Sequence, residues 1–271
     1  MQNLHYAFHR DYYDLLAEAE VSSSGELQKM RKTDFDKKNE DLCKAVSNNI
    51  YQSIEQLEGI QVFILETCYP GLLIGTGYPH NSGVGEAEIM LGFSFDYVSG
   101  MPYIPGSTVK GCLRAPFRSC PGYIAELLKT EWNEEDVLLM EKAIFENELS
   151  DNILEKQQMK GVEQRDIFFD AVLSSKGAGS STVMAMDTIA PHIDKVNPKL
   201  TGLSEPIPIN FLRVKPKVPF IFQFLLKDTR LANGKVVTAK QKLELFRSIL
   251  LDTGIGAKTN VGYGKMVVQH I

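Results

Sequence analysis

One segment constrains the fold more than any other. Val218 to Leu226 (VPFIFQFLL) is apolar almost throughout and rich in aromatic side chains. So short an apolar run, flanked by Lys217 and Lys227, reads as a strand inside a sheet. Ile60 to Cys68 (IQVFILETC) is a second buried strand, stopped by Pro70-Gly71. Ile167 to Leu173 (IFFDAVL), Thr182 to Ile189, Ile207 to Val214 and Lys265 to Ile271 complete the set of expected strands. Thr238 to Leu251 places Leu243, Phe246, Ile249 and Leu250 at helical spacing.

Between the first two strands, residues 71–100 hold seven glycines and predict loops or short hairpins. MPYIPGSTVKGCLRAPF follows, with Ser107 as the expected N-cap of a helix that Pro116 ends or kinks. Residues 121–160 are acidic and helical, 190–206 form a Pro/Asn loop, and Asn233-Gly234 marks a turn. Upstream, residues 11–57 read as helical around a polar stretch, Val21 to Lys38. The order strand, loop, helix, strands, helix, glycine loop, strand predicts an α+β chain. Its core is βαββαβ, ferredoxin-like or RRM-like, with long helical and loop insertions. Residues 1–58 form an N-terminal helical extension. Residues 59–271 form the main domain, with an acidic helical insertion at about 121–165.

Composition excludes several classes. No apolar run reaches the roughly 18 residues of a membrane span, and Met1 to Asp11 lacks the apolar core of a secretory signal. Cys43, Cys68, Cys112 and Cys120 are widely spaced, so a reduced, cytoplasmic protein is expected rather than a disulfide scaffold or zinc ribbon. The net charge of -5 argues against nucleic acid, but its distribution does not. Lys195 to Ile271 carries 13 lysines and arginines against 4 acids, whereas Glu131 to Asp170 carries 12 acids against 4 bases. Met101 to Ala125 is a second basic stretch, with Lys110, Arg114 and Arg118 and no acid. A basic working surface beside an acidic solvated region fits this asymmetry, although charge blocks are as often plain solvated faces.

Two elements carry the chemistry. In GIGAKTNVGYG, Gly254, Gly256, Gly262 and Gly264 surround Lys258, Thr259, Asn260 and Tyr263. Glycines let backbone N–H groups approach an anion, and the lysine adds charge. The loop is not a nucleotide P-loop: Gly264-Lys265 is followed by Met266, and the loop follows a helix rather than opening one. The dinucleotide pattern also fails, because Thr259 occupies the third glycine position. A purely structural turn is the plain alternative. In IPGSTVKGCLRAPFR, Lys110, Arg114 and Arg118 share one helical face, and a helix N-terminus at Gly106-Ser107 is an anion site by geometry.

Taken together and in this order, PYIPGSTVKGCLRAPF and GIGAKTNVGYGKM resemble the RAMP superfamily of CRISPR-associated proteins (repeat-associated mysterious proteins). With Gly75 to Gly85, FFDAVL and PIPINFLRV, the pattern is most similar to the subunits of type III-B (Cmr) RNA-guided effector complexes. The likeness covers roughly residues 60–271. It implies an RRM-like RAMP core in a non-catalytic subunit that binds the 3′ part of a CRISPR guide RNA, in a complex that engages target RNA. The implied partners are neighbouring RAMP backbone subunits and the small helical subunit of the complex. Carried onto this sequence, Gly106, Ser107 and Lys110 contact guide phosphates, as does Gly256 to Gly264 with Lys258, Thr259, Asn260 and Tyr263. Arg114 joins them from the helical stripe. No cofactor, metal site or catalytic residue is implied.

A metal-independent endoribonuclease is the main alternative, because some RAMP proteins process guide RNA. Of His5, His9, His80, His192 and His270, His80 is the best general-base candidate. His5 and His9 stand at i, i+4 without a third ligand. Asp96, Asp170 and Asp187 are the acids in comparable settings, each expected to serve as a cap, turn or solvated residue. A small-nucleotide-binding loop is the third reading.

Overall fold

The computed structural model describes residues 3–14, 32–45, 57–82, 87–129, 131–146, 165–174, 182–190 and 208–269. The chain begins with α1 (Leu4–His9), a 3₁₀ turn (Asp11–Tyr13) and α2 (Lys32–Cys43). The second helix starts inside the stretch that polarity assigned to a connector. Phe35 and Leu42, one heptad apart, are buried, and Asn39 accepts from the Tyr12 hydroxyl while donating to the Ala87 carbonyl. The rest of the expected N-terminal helices, 15–31 and 46–56, lies outside the described residues. Leu4, Phe8, Tyr12 and Phe35 join the same hydrophobic cluster as the strands below.

The main sheet contains β1 (Ile60–Thr67), β2 (Ile167–Phe168), β3 (Val172–Leu173), β6 (Pro219–Leu225) and β9 (Met266–Val268). A second pair is β4 (Met184–Ile189) with β5 (Ile209–Val214), and a third is β7 (Thr229–Arg230) with β8 (Val236–Val237). In the main sheet the order is β2/β3, β6, β1, β9, and every pairing is antiparallel. The apolar run is its centre: β6 pairs with β1 from Ile60↔Leu225 to Glu66↔Pro219, and Phe220, Phe222 and Phe224 are fully buried. Phe63 stacks on its cross-strand partner Phe222 at 5.3 Å, a contact of the kind that fixes register.

The helices α3 (Gly106–Ser119) and α6 (Ala239–Thr253) pack on this sheet, and α4 (Pro121–Leu128) and α5 (Glu134–Glu141, continued by a π-helical turn, Lys142–Glu146) pack against them. Thr238 opens α6 with a capping box, its hydroxyl accepting from the Gln241 amide while the Gln241 side chain accepts from the Thr238 N–H. Phe246 of α6 meets Phe224 and Phe168 at 5.7 Å, and Phe145 links that cluster to Phe117 of α3. Among the described residues no helix is long and apolar enough to cross a membrane.

Three local expectations change. The IFFDAVL run is two short strands rather than one, interrupted at Phe169-Asp170, because Asp170 turns away to cap α3. That cap displaces Ser107 from its expected role: Pro105 occupies the N-cap position, and the Gly106 N–H donates to Asp170 Oδ1 at 2.7 Å. Pro116 does not stop the helix, which continues to Ser119, while Pro121 starts α4. The Pro/Asn loop of residues 191–206, His192 and His270 lie outside the described residues.

A buried ammonium joins the sheet to α6. Lys242 is fully buried and donates to Asp166 Oδ2 at 2.5 Å, to the Lys227 carbonyl at 2.7 Å and to Thr229 Oγ1 at 2.7 Å. Its charge is matched and its three protons are used, which makes burial tolerable. Lys242→Met leaves the Asp166 carboxylate without its cation and is expected to cost about 3–5 kcal/mol. Urea unfolding of the two proteins measures this, and a loss below about 1 kcal/mol is the contrary result.

Candidate nucleic-acid interface

The glycine loop follows α6 and leads into β9, and its backbone is fixed from three directions. The Ile255 N–H donates to the Gly264 carbonyl, the Gly264 N–H to the Gly71 carbonyl, and the Ala257 N–H to the Leu73 carbonyl, at 2.9, 2.7 and 2.9 Å. Cys112 Sγ of α3 lies 3.2 Å from the Gly254 carbonyl, so the two sequence elements meet at the root of the loop. Glycine is required at 264, where a Cβ would stand 1.9 Å from the Ile255 carbonyl oxygen, and at 256, where it would stand 2.3 Å from that of Leu73.

The loop residues divide by exposure. Gly256, Lys258 and Asn260 are exposed and Thr259 is half-buried. Gly264 and Tyr263 face inward, so direct phosphate contact, expected for both, does not fit their positions. The Tyr263 hydroxyl donates to Asp187 Oδ2 at 2.7 Å and its ring packs edge-on to Phe211. Burial, and then the Asp187 bond, push the phenol up to about 12, so it remains a donor. Asp187 also lies 2.8 Å from Arg213 Nε, an ion contact without hydrogen-bond alignment. Arg213 Nη1 in turn donates to the Pro70 carbonyl at 2.6 Å. Asp187 is thus the anchor of the loop.

Lys258 is the exposed cation of this loop, and it is held in the left-handed region at φ 59° and ψ 35°. A lysine there bears a backbone cost of roughly 1 kcal/mol that glycine would avoid.

The helix N-terminus departs from expectation more sharply. Gly106 is buried, a Cβ there would lie 2.3 Å from the Phe168 carbonyl oxygen, and its N–H is taken by Asp170. A carboxylate already satisfies this end of the helix dipole, so the end is not an open anion site. Ser107 is exposed and Lys110 half-buried. They line a cleft of about 290 Å³ with Gly106, Arg165, Asp166, Ile167 and Phe168, and Lys110 Nζ stands 5.8 Å from the Phe168 ring centre. Arg165 and Phe168 escaped the sequence reading because the cleft forms only when β2 lies against α3. The basic segment Lys195 to Ile271 did not point to them.

The basic stripe is largely neutralised. Arg114 pairs with Glu141 and Glu146, and Arg118 contacts the same two carboxylates at 2.7 Å each. Arg114 is therefore committed to the acidic segment, and the helical spacing that placed it beside Lys110 gave no sign of that partner.

The candidate catalytic groups have structural tasks. Asp96 accepts from the Val98 and Ser99 N–H groups in a turn, and Asp170 caps α3. His80 is 3 % exposed, stacked on Phe8 at 3.6 Å, with Nε2 2.7 Å from the Phe8 carbonyl and Nδ1 3.3 Å from that of Ile89. His5 and His9 lie 4.7 Å apart, and no group of three metal-ligating side chains occurs among the described residues.

The chain belongs to the RAMP superfamily, whose family model matches residues 64–267. Two curated relatives are more specific. A CRISPR system Cmr subunit Cmr6 from Pyrococcus furiosus is 27 % identical over 233 residues, covering 72 % of this chain and 64 % of that protein. The Cmr6 subunit of Saccharolobus solfataricus is 27 % identical over 228 residues, covering 84 % and 65 %. This chain therefore spans about two thirds of the length of the relatives it matches. Among solved structures, a type III-B Cmr-beta complex bound to cognate target RNA aligns at TM-score 0.49 and 22 % identity, over 78 % of this chain and 58 % of that one. The crystal structure of Cmr6 from Pyrococcus furiosus aligns at 0.39 and 20 %, over 80 % and 100 %. The RAMP resemblance carried by the two motifs agrees with the family model, and the likeness to Cmr subunits agrees with the two Cmr6 relatives.

Two predictions follow from the geometry. Lys258→Gly relieves the left-handed backbone and is expected to raise stability by up to about 1 kcal/mol, whereas Lys258→Val lowers it by a similar amount; chemical denaturation checks both. Burial lowers the His80 pKa from 6.5, outweighing the Phe8 and Ile89 carbonyls and Glu88, which raise it. The unfolded chain then takes up a proton near pH 6.5 before the folded ring does. Stability present above that pH is lost as pH falls through the folded value. Thermal melts between pH 7.5 and 5 should show this loss, and a His80→Gln variant should show less of it.

Proposed function

We propose that this chain is a non-catalytic, guide-RNA-binding subunit of a type III-B CRISPR (Cmr) effector complex. In this reading its sheet order and the helices α3 and α6 form a ferredoxin-like, RRM-like core. Ser107 and Lys110 in the cleft, and Gly256, Lys258, Thr259 and Asn260 on the loop, hold phosphates in the 3′ part of the guide. Neighbouring RAMP subunits and the small helical subunit pack around it, and the assembly engages target RNA. The acidic segment disfavours RNA on its own surface and suits basic partners.

The observation that carries this reading is Lys258. An exposed cation is kept in a left-handed backbone position, at a cost, on a loop anchored by Gly71, Leu73 and Asp187. Rigid phosphate contacts of this kind give affinity without sequence preference. The family membership and the Cmr6 relatives support the same assignment.

The test is a salt titration of RNA binding by fluorescence anisotropy. Lys110→Ala with Lys258→Ala is expected to weaken binding and lower the log–log salt slope by about two. Unchanged affinity and slope would end the proposal. Labelled repeat RNA incubated with the pure protein in EDTA should remain uncut, and cleavage abolished by His80→Ala would favour an endoribonuclease instead.

A further inference from the structure

We propose that Tyr69 is a base-stacking residue, holding an unpaired RNA base beside the phosphates carried by the glycine loop. The inference rests on the RNA-binding reading above and adds to it a contact with the base.

Tyr69 is 81 % exposed, so its ring contributes little to the core. Its backbone, by contrast, is closely held. The preceding Cys68 N–H donates to the Lys265 carbonyl at 2.9 Å, the Pro70 carbonyl accepts from Arg213 at 2.6 Å, and the Gly71 carbonyl accepts from the Gly264 N–H at 2.7 Å. The turn is thereby joined to the glycine loop at both ends. A Cβ added at Gly262 would sit 3.5 Å from the Pro70 Cδ, in ordinary van der Waals contact. Tyr69 lies close enough to Tyr263 to influence its phenol electrostatically.

Single exposed aromatics are common and need no explanation. Tyr78 is equally exposed and Tyr97 nearly so, but their backbones carry no bond to the glycine loop in this network. Tyr69 combines a bare ring, a fixed backbone and an adjacent cationic loop with Lys258 on its surface. A stacking platform next to phosphate-binding groups is how proteins grip single strands without reading their sequence. The ring offers a π-face to any base, and the fixed turn removes the ordering cost of presenting it.

The experiment uses the full chain and a single-stranded oligoribonucleotide, with a second oligomer in which abasic sites replace the bases. Tyr69→Ala is expected to weaken binding of the base-bearing oligomer about ten-fold and to leave the abasic one unchanged, while Tyr69→Phe and Tyr69→Trp retain wild-type affinity. Because the sequence contains a single tryptophan, Trp132, which is buried, Tyr69→Trp also supplies an exposed fluorophore. Quenching of that fluorophore by RNA reports stacking directly. If the wild-type protein binds RNA and Tyr69→Ala binds equally well, or loses the abasic oligomer equally, the stacking role is overturned while the RNA reading stands. If the wild-type protein binds neither oligomer, both are overturned.

Discussion

An ammonium group with no access to water sets the terms for the rest of the molecule. Lys242 sits in the first turn of α6, yet its partners come from three other places: Asp166 just before β2, the Lys227 carbonyl after β6, and Thr229 in β7. Each partner is needed, because a desolvated cation with an unused proton or no counter-charge is worth several kcal/mol of instability. The helix, the central strand and the sheet edge must therefore be in place together. That edge carries Arg165, Ile167 and Phe168, the wall opposite Ser107 and Lys110. The cleft thus owes its shape to an ion pair beneath it.

The two basic elements reach different electrostatic ends. On α3, Arg114 and Arg118 are bound to Glu141 and Glu146, and Asp170 fills the helix N-terminus. On the loop, Lys258 projects from a backbone held by main-chain bonds and by the Tyr263–Asp187–Arg213 network. A carboxylate performs a scaffolding task in each case: Asp170 bends a strand toward a helix, and Asp187 holds a loop to a hairpin.

Periodicity and punctuation revealed much of this architecture. The Val218–Leu226 run announced the central strand, and Leu243, Phe246, Ile249 and Leu250 announced α6. The glycine loop and the α3 opening were legible as motifs because glycine and proline act locally. What escaped was non-local. Nothing near Gly106 in sequence foretells that Asp170 will occupy its N–H. Nothing near Arg114 foretells carboxylates 27 and 32 residues away. Tyr263 was expected to meet phosphate as part of the glycine loop, and only its packing on Phe211 and its bond to Asp187 turn it inward. The Phe169-Asp170 break was hidden inside an apolar run whose pattern alone favoured one continuous strand.

Gly254 and Gly264 lie back to back at the neck of the loop. A Cβ on the first would come within 2.7 Å of the carbonyl oxygen of the second, and a Cβ on the second would strike Ile255. The neck can therefore accept almost no mutation, while Thr259 to Val261 between them have no positive φ to oppose a side chain. Selection can retune the tip for a different strand geometry one residue at a time without ever risking the frame. In a lineage of such proteins, Gly254 and Gly264 should be replaced more rarely than the residues between them.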